Sequence, residues 1–572
     1  MGGSGKLGTK TAIIFFCGLF VLSNAANAET LNTADISRES ARQAAGESGK
    51  SIVERVEMEE GETQREDNEV NEDESFELKG VHIDSDIEEI KQSHVQHIVD
   101  PYIGKRVDIK DLRKIASEIK MFCRQQGWLA AVAYLPEQDS TDGVITFKIM
   151  SPNFGKVTFN NQSRLDDDIL RRVGSNIKST DMVQNDKIED VLYLINEIGG
   201  VKARGALIPD TLTRKIDLNI NVVNDQTKRG IIYAENYGSK NSGRYRLGVI
   251  YDMYNLDNRG SRLEVSGLIS NEDLDNYVLD YSIISRRKST SRLGISFGRT
   301  TYHLVQSSIP GLEAGGHSTD VKLYGMTPVW KTIHDGFVWN YGYKFRDYTQ
   351  TVSYKIDLSD YGLGTFSQRF QGQNYIHTFS LGFSGYKRSL HNDLFNYSFT
   401  LYDGHLSPRT ESAREMAEDG YTEGNFIYSE IDLDYRKLFS DYWEFHTNFN
   451  LQNSSKNLVS AEQMTLGGAN GVRGYADGDA SGDEGYLSKS EIIWHTKVPG
   501  LSTSLFFDIG GTGIKSNHDI NTIRSWGVEL NYSKRNDYFV KLDYARKIGN
   551  NLMIAPANDA HQRFWFMAGK IF

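Results

Sequence analysis

From residue 229 to the end of the chain, apolar and polar side chains alternate with a period of two, as strands with chemically distinct faces do. In RYRLGVIYDMYN, Tyr245, Leu247, Val249, Tyr251 and Met253 form one face, while Arg244, Arg246 and Asp252 fall on the other. WEFHTNFNLQ repeats the arrangement, with Trp443, Phe445, Phe449 and Leu451 against Glu444, His446, Asn448, Asn450 and Gln452. In NFIYSEIDLDYRKL, Ile427, Ile431, Leu433 and Tyr435 stand opposite Tyr428, Glu430, Asp432, Asp434 and Arg436. A soluble sandwich would alternate in the same way, with its apolar face turned inward. The density of Tyr, Trp and Phe along these segments, and the Asn-, Asp- and Gly-rich connections between them, favour the inverse arrangement with the apolar face on lipid. Lipid-exposed sheet must close on itself, because an unpaired edge finds no water there. The predicted fold is therefore mainly β, with a 16-stranded antiparallel transmembrane β-barrel over residues 229–572, its strands ~10 residues long at about 21 residues per strand and connection. Counting alone also accommodates roughly fourteen or eighteen strands.

Residues 76–227 follow a different grammar. FELKGVHI reads as a strand, and DIKDLRKIASEIKMFCRQQG as a helix that keeps Leu112, Ile115, Ile119, Phe122 and Cys123 on one face and is closed by Gly127. WLAAVAYLPEQ and GVITFKIM supply two further strands. The order then recurs: NFGKVTFNN as a strand, LDDDILRRVG as a short helix, and DKIEDVLYLINEIGG as a longer helix with Ile188, Val191, Leu192 and Ile195 on one side. VKARGALIP and KIDLNINVV complete it as strands. Two tandem α/β modules are predicted, 76–150 and 151–227, the second with an extra short helix.

Ahead of them, the first residues join a weakly basic start (Lys6, Lys10) to an apolar core from Thr11 to Leu22 and a small-residue site at Ala26-Asn27-Ala28. This is the pattern of a signal peptide over 1–28. The apolar run is shorter than the ~20 residues a spanning helix needs. Within residues 29–56, Asp35 to Val56 has a helical pattern with alanines in its body. Residues 57–75 form an acidic run too poor in apolar side chains to fold alone, so a disordered tether is expected. Cys17 leaves with the signal, and Cys123 then has no partner for an internal disulfide. Export with so few cysteines suits a Gram-negative periplasmic or outer-membrane protein.

Composition agrees with this reading. Thirty Tyr and 27 Phe against only 9 Pro suit many strands with few breakers. A net charge of −12 leaves no basic face for phosphates, so nucleic acid is not expected as a partner. GISFG, Gly294 to Gly298, matches the spacing of a serine-hydrolase elbow, but that elbow needs a strand, a sharp turn and a helix, whereas Ser296 lies mid-strand. His94 and His97 in HVQH have metal-ligand spacing without a nearby second pair. No phosphate-cradling glycine loop appears. No enzyme activity, cofactor or metal is predicted.

The stretch GGANGVRGYADGDASGDEG, Gly467 to Gly485, holds the acids Asp477, Asp479, Asp483 and Glu484 and a single base, Arg473. Together with LPEQD, DGVITFKI, LINEIGGV and AENYGSKNSGRYRLG, all in order, LGGANGVRGY resembles the outer-membrane transporters of two-partner secretion, the haemolysin and filamentous-adhesin exporters. The resemblance implies that the two α/β modules are periplasmic POTRA modules. It also implies that the VRGY loop (Val472, Arg473, Gly474, Tyr475) folds back into the barrel. There its arginine would pair with the aspartate of an F-x-D-x-G wall stretch, here Phe506, Asp508 and Gly510. Alternation places those three residues on one face, with Leu505, Phe507 and Ile509 on the other. A partly dry lumen makes an unpaired charge costly, and the fork of Arg suits a carboxylate better than Lys does.

The last strand, HQRFWFMAGKIF, puts Phe564, Phe566 and Phe572 on one face, an address for the barrel-assembly machinery during biogenesis. Lys570 departs from that pattern and could snorkel at the rim. By the same resemblance, the chain would sit in the outer membrane among its lipids and export a large exoprotein (adhesin, haemolysin or toxin). The amino-terminal secretion domain of that exoprotein would be captured by the POTRA modules through β-augmentation. The Asp35–Val56 helix would plug the pore at rest, although a free periplasmic tail has the same composition. A barrel-assembly factor shares the VRGY loop but usually carries more POTRA modules, and a passive porin would lack both the modules and the inward arginine.

Overall fold

The structure is a computed structural model. It describes residues 35, 37–45, 57–58 and 75–572, except 140, 211, 240–241, 286–289, 305–311, 358–364, 390–392, 518 and 550–559. The predicted signal peptide lies outside these residues, as do most of the predicted Asp35–Val56 helix and of the tether. Within the described part of that helix, residues 37–44 are helical (α1). Two compact units divide the chain, one over Ser51–Thr227 and one that joins α1 to Lys228–Phe572.

The first unit opens with β1 (Glu57–Met58), β2 (Phe76–Glu77), β3 (Gly80–Ser85), α2 (Gln92–Val99), β4 (Arg106–Val107) and α3 (Ile109–Gln125). β5 (Val132–Tyr134) and β6 (Val144–Met150) follow. β6 lies between β3, which runs parallel to it, and β5, which is antiparallel and forms a sheet edge. α3 starts at Asp108, whose carboxylate accepts from the Asp111 amide at 2.8 Å while Asp111 reaches back to the Asp108 amide. That reciprocal cap satisfies two otherwise orphan donors. The helix lays Leu112, Ile115, Ile119 and Cys123 against Ile145, Phe147 and Ile149. Burial pushes the Cys123 thiol up to about 11, so it stays a neutral core side chain. α2 is an element the periodicity did not reveal, because only Val95 and Val99 of its eight residues are buried. An additional short helix is thus a property of both modules, not of the second alone.

The second module runs β7 (Phe154–Asn161), α4 (Asp167–Gly174), α5 (Asn185–Asn196), β8 (Val201–Asp210) and β9 (Lys215–Asn224). Its sheet order is β1-β8-β9-β7. At the start of the predicted disordered tether, Glu57 and Met58 form a strand that pairs in parallel with Ala206 and Leu207. Acidic composition denies a segment its own core but leaves its backbone donors and acceptors free to extend an existing sheet.

The other unit is a closed barrel of sixteen antiparallel strands, each hydrogen-bonded to the next. In chain order these begin with β10 (Lys228–Glu235), β11 (Arg246–Tyr254), β12 (Arg262–Ser270), β13 (Asp275–Ile284), β14 (Arg292–Leu304) and β15 (Leu312–Lys331). β16 (Asp335–Asp357), β17 (Thr365–Arg388) and β18 (Leu394–Pro408) follow; then, after helix α6 (Glu411–Asp419), come β19 (Gly424–Ser440) and β20 (Trp443–Ser454). A long loop carrying the small hairpin β21 (Met464–Thr465) and β22 (Ser481–Gly482) leads to β23 (Glu484–His495). β24 (Leu501–Gly513), β25 (Asn521–Ser533), β26 (Tyr538–Lys547) and β27 (Gln562–Ile571) complete the ring. β27 closes on β10 from Ile231 opposite Ile571 to Glu235 opposite Met567.

Leu247, Val249, Leu279, Ile295, Phe297 and Leu505 are exposed on the outer face, while Asp252, Ser266, Asn276, Ser282 and Thr300 are buried on the inner one. No described helix is long and apolar enough to cross a membrane. Strand length departs from the uniform ~10 residues expected of a membrane span: β15, β16 and β17 have 20, 23 and 24 residues. The excess continues the ladder beyond the apolar band, where period-two counting has no membrane boundary to register.

Candidate functional site

The connection between β20 and β23 turns into the barrel interior. Arg473 sits there with no solvent exposure. Its Nε and Nη2 donate to the two carboxylate oxygens of Asp508 at 3.0 and 2.8 Å, and its backbone amide donates to the same carboxylate at 3.1 Å. Nη2 also lies 2.8 Å from Glu491, and Nη1 lies 3.2 Å from Glu529 and 3.5 Å from Asp543. One guanidinium therefore ties four consecutive strands, β23 to β26. Phe506 lies beneath it, 3.3 Å from ring centroid to guanidinium carbon. The indole of Trp565 donates to the Arg473 carbonyl at 2.8 Å. Lys541, 3.0 Å from Glu529, supplies a second positive charge.

The rest of the motif is built around this contact. Val472 and Tyr475 are buried with Leu466, Ala480, Leu487 and Ile523, and the Lys547 amine lies over the Tyr475 ring at 4.4 Å. Gly474 lies so close to the wall that a Cβ there would stand 2.8 Å from that of Ser525. Gly468 has φ +99°, a conformation that disfavours L side chains. Gly510 shares the inner face with Phe506 and Asp508, beneath Leu466. The loop acids are also placed: Asp477 lies 3.6 Å from Arg246, Asp479 lies 3.7 Å from Arg563, and Glu484 pairs with Lys515. Asp483 accepts from the amides of Leu458 and Lys515, each at 2.9 Å.

A second cluster holds the same loop at its start. The carboxylate of Glu462, in a single helical turn over Ser460–Glu462, accepts from Lys344 at 2.9 and 3.1 Å and from Arg346 at 3.1 Å. The Tyr428 hydroxyl donates to it at 2.8 Å. Arg346 also donates to the Ala461 carbonyl at 2.9 Å and to Asp320 at 2.6 Å. Sequence reasoning did not find this cluster, nor Glu491, Glu529 and Asp543. Lys344 and Arg346 do share one face of β16 in GYKFRDY, a sign of polar lumen wall, but nothing in the alternation names a partner more than a hundred residues away.

Helix α1 lies in the same interior. Arg42 donates to Asp252 at 2.9 Å and to Glu264 at 3.0 Å, Arg38 donates to Ser266 at 2.6 Å, and Ser40 donates to Asn470 of the loop at 2.5 Å. Ala41, Ala44 and Ala45 pack with Ile231, Tyr233, Ile250, Trp565 and Ala469. A cavity of about 440 Å³ remains beside the loop, bordered by Thr400, Glu430, Asp432 and Asn450 on β18 to β20 and by Gln463 and Met464 on the loop.

The remaining sequence candidates are placed as follows. Phe564 and Phe572 are exposed on the outer face of β27, Phe566 half-buried beside them, and the Phe572 ring stacks on Tyr251 at 6.4 Å. Lys570, on that same face, reaches Asp537 at 3.5 Å in the turn before β26. Ser296 lies mid-strand in β14 between Asp280 and Lys322 of the neighbouring strands. His94 accepts from the Lys91 amide at the start of α2, and His97 packs edge-on against Phe122.

A closed antiparallel barrel with an apolar exterior and a polar, charged interior, carrying an inward loop and preceded in the chain by small α/β modules, defines an outer-membrane barrel protein of the kind that handles polypeptides. The model of the haemolysin secretion/activation family ShlB/FhaC/HecB matches residues 215–532, more than half of the chain, and the ShlB-type POTRA model matches 76–151. The chain belongs to that family and is a two-partner secretion transporter of the outer membrane, with its POTRA region in the periplasm. It is 27% identical over 506 residues, 86% of each chain, to the heme/hemopexin transporter protein HuxB of Haemophilus influenzae strain 86-028NP. It is 21% identical over 450 residues, 74% of each chain, to the outer membrane transporter CdiB of Dickeya dadantii. Among solved structures, CdiB from Escherichia coli superposes with a TM-score of 0.62 at 15% identity, covering 96% of this chain and 98% of that one. CdiB from Acinetobacter baumannii gives 0.59 at 14% identity, covering 96% and 99%.

Proposed function

We propose that this transporter captures the amino-terminal secretion domain of its exoprotein on the strand edges of its POTRA modules and passes the chain, unfolded, through a lumen that the Arg473 loop keeps ordered. The observation that carries the reading is the burial of Arg473 among carboxylates from four wall strands. A lone surface arginine would gain ~0–1 kcal/mol from such pairs, whereas breaking a buried pair costs on the order of 3–5 kcal/mol. This makes Arg473 a clasp for the loop. For capture, β5 offers an edge with exposed Val132 and Tyr134, apolar side chains that an added strand would cover.

The test is co-expression with the partner exoprotein, scoring cargo at the cell surface alongside heat-modifiable, inserted barrel. Arg473→Ala should reduce export at least tenfold with insertion retained. Asp508→Ala should reduce it less, since Glu491, Glu529 and Asp543 remain. Removing residues 76–150 should abolish export. Normal export by both point variants would sink the clasp, and normal export by the deletion would sink POTRA capture.

The contacts of α1 with Asp252, Glu264 and Asn470 support a resting plug. Deleting residues 29–56 should raise the conductance of single channels in planar bilayers. A channel unchanged by the deletion would remove that role.

A further inference from the structure

We infer that the inward loop is fastened at two ends of opposite polarity, and that Glu462 is a positioning residue at the end that releases to widen the lumen. The inference rests on the Arg473 clasp proposed above and adds which end moves.

At the Arg473 end the loop brings the cation and the wall brings the acids. If Arg473 left, the four acids Asp508, Glu491, Glu529 and Asp543 would face one another with two wall lysines, Lys541 beside Glu529 and Lys489 opposite Asp508, an excess of negative charge that like-charge repulsion opposes. At the Glu462 end the polarity is reversed, and so is the consequence of departure. Arg346 would keep its own wall partner, Asp320, at 2.6 Å. Lys344, whose side chain is 24% exposed, is a flexible ammonium already in contact with the lumen. The wall left behind after Glu462 undocks is therefore an arginine still paired with Asp320 and a partly solvated Lys344, which has Lys322 opposite it in the β15–β16 pair and Glu430 as a nearby acid, a more balanced set than the acids left at the Arg473 end. Position adds a second argument. Gln463 and Met464, the residues directly after Glu462, border the cavity on its β18 to β20 side, and Ala469, Asn470 and Asp477 from the Arg473 side of the loop border it elsewhere. Undocking the Ser460–Glu462 turn from β16 while Arg473 holds would move that border and enlarge the cavity without expelling the whole loop.

Thiol labelling separates the two ends. In a Cys123→Ala background, single cysteines at Ala461 and Ala469, 3% and 4% exposed, report on the Glu462 and Arg473 ends when outer-membrane vesicles are treated with a charged maleimide in the absence of cargo. With Glu462 intact, both cysteines should be protected. Glu462→Gln should speed labelling at 461 at least fivefold and leave 469 protected, while Glu462→Asp should restore protection at 461. Protection of both positions in Glu462→Gln, or exposure of both, overturns the proposal. The clasp is judged separately, because Arg473→Ala should expose 469. If it does while 461 stays protected in Glu462→Gln, the clasp stands and the releasable end is lost.

Discussion

The second α/β module and the barrel use the same two-residue alternation with opposite sign. β8 and β9 bury Leu207, Leu218 and Ile220 and expose Arg204 and Asn221. β11 and β13 expose Leu247, Val249, Tyr277 and Leu279 and bury Asp252, Asn276 and Ser282. Alternation thus assigns residues to two faces but does not say which face meets which solvent. What separates the cases is the accounting of backbone hydrogen bonds. The module's sheet can end at an edge because water satisfies it, whereas the barrel's sheet has to return to its first strand.

One substitution placed in both regions probes that difference. The larger effect is expected from Leu218→Arg, which puts a guanidinium into an aliphatic core with no partner. Losses above ~4 kcal/mol are typical of that kind of defect, and urea denaturation of the intact transporter, followed by protease sensitivity of residues 76–227, should show the module open first. An unchanged protease midpoint would contradict the burial of β9. A smaller effect is expected from Leu279→Arg on the outer face, ~2–4 kcal/mol at mid-membrane and less toward either interface. Folding into bilayers of defined thickness measures it. Should Leu279→Arg prove the more damaging of the two, the opposite signs assigned to the two sheets would need to be exchanged.

The barrel's faces were legible where an inner residue is flanked by outer ones of contrasting chemistry, as Arg246 is by Tyr245 and Leu247, and not where it is apolar as well, as at Ile250. The inward aim of Asp508 follows from that rule, since Leu505 and Phe507 occupy the opposite parity. The pairing of Arg473 with Asp508 needed more than local pattern: family resemblance pointed to the aspartate, and no spacing rule would have. Glu462 escaped for the same reason in stronger form, since its partners Lys344 and Arg346 lie more than a hundred residues away and carry no motif. Helix α2 escaped because two buried valines in eight residues leave little periodicity. β1 escaped because strand addition uses backbone groups that side-chain patterns do not report.

The ring's final stitch joins Ile231 to Ile571, and the amide and carbonyl of Phe572 exchange hydrogen bonds with Gly230. Any precursor that lacks β27 is therefore an open ribbon whose first strand has nothing to grip. Sealing of the pore waits on β27, and a stop codon just ahead of Gln562 would leave a protein that threatens the membrane with an unsealed margin instead of a leaky but finished channel.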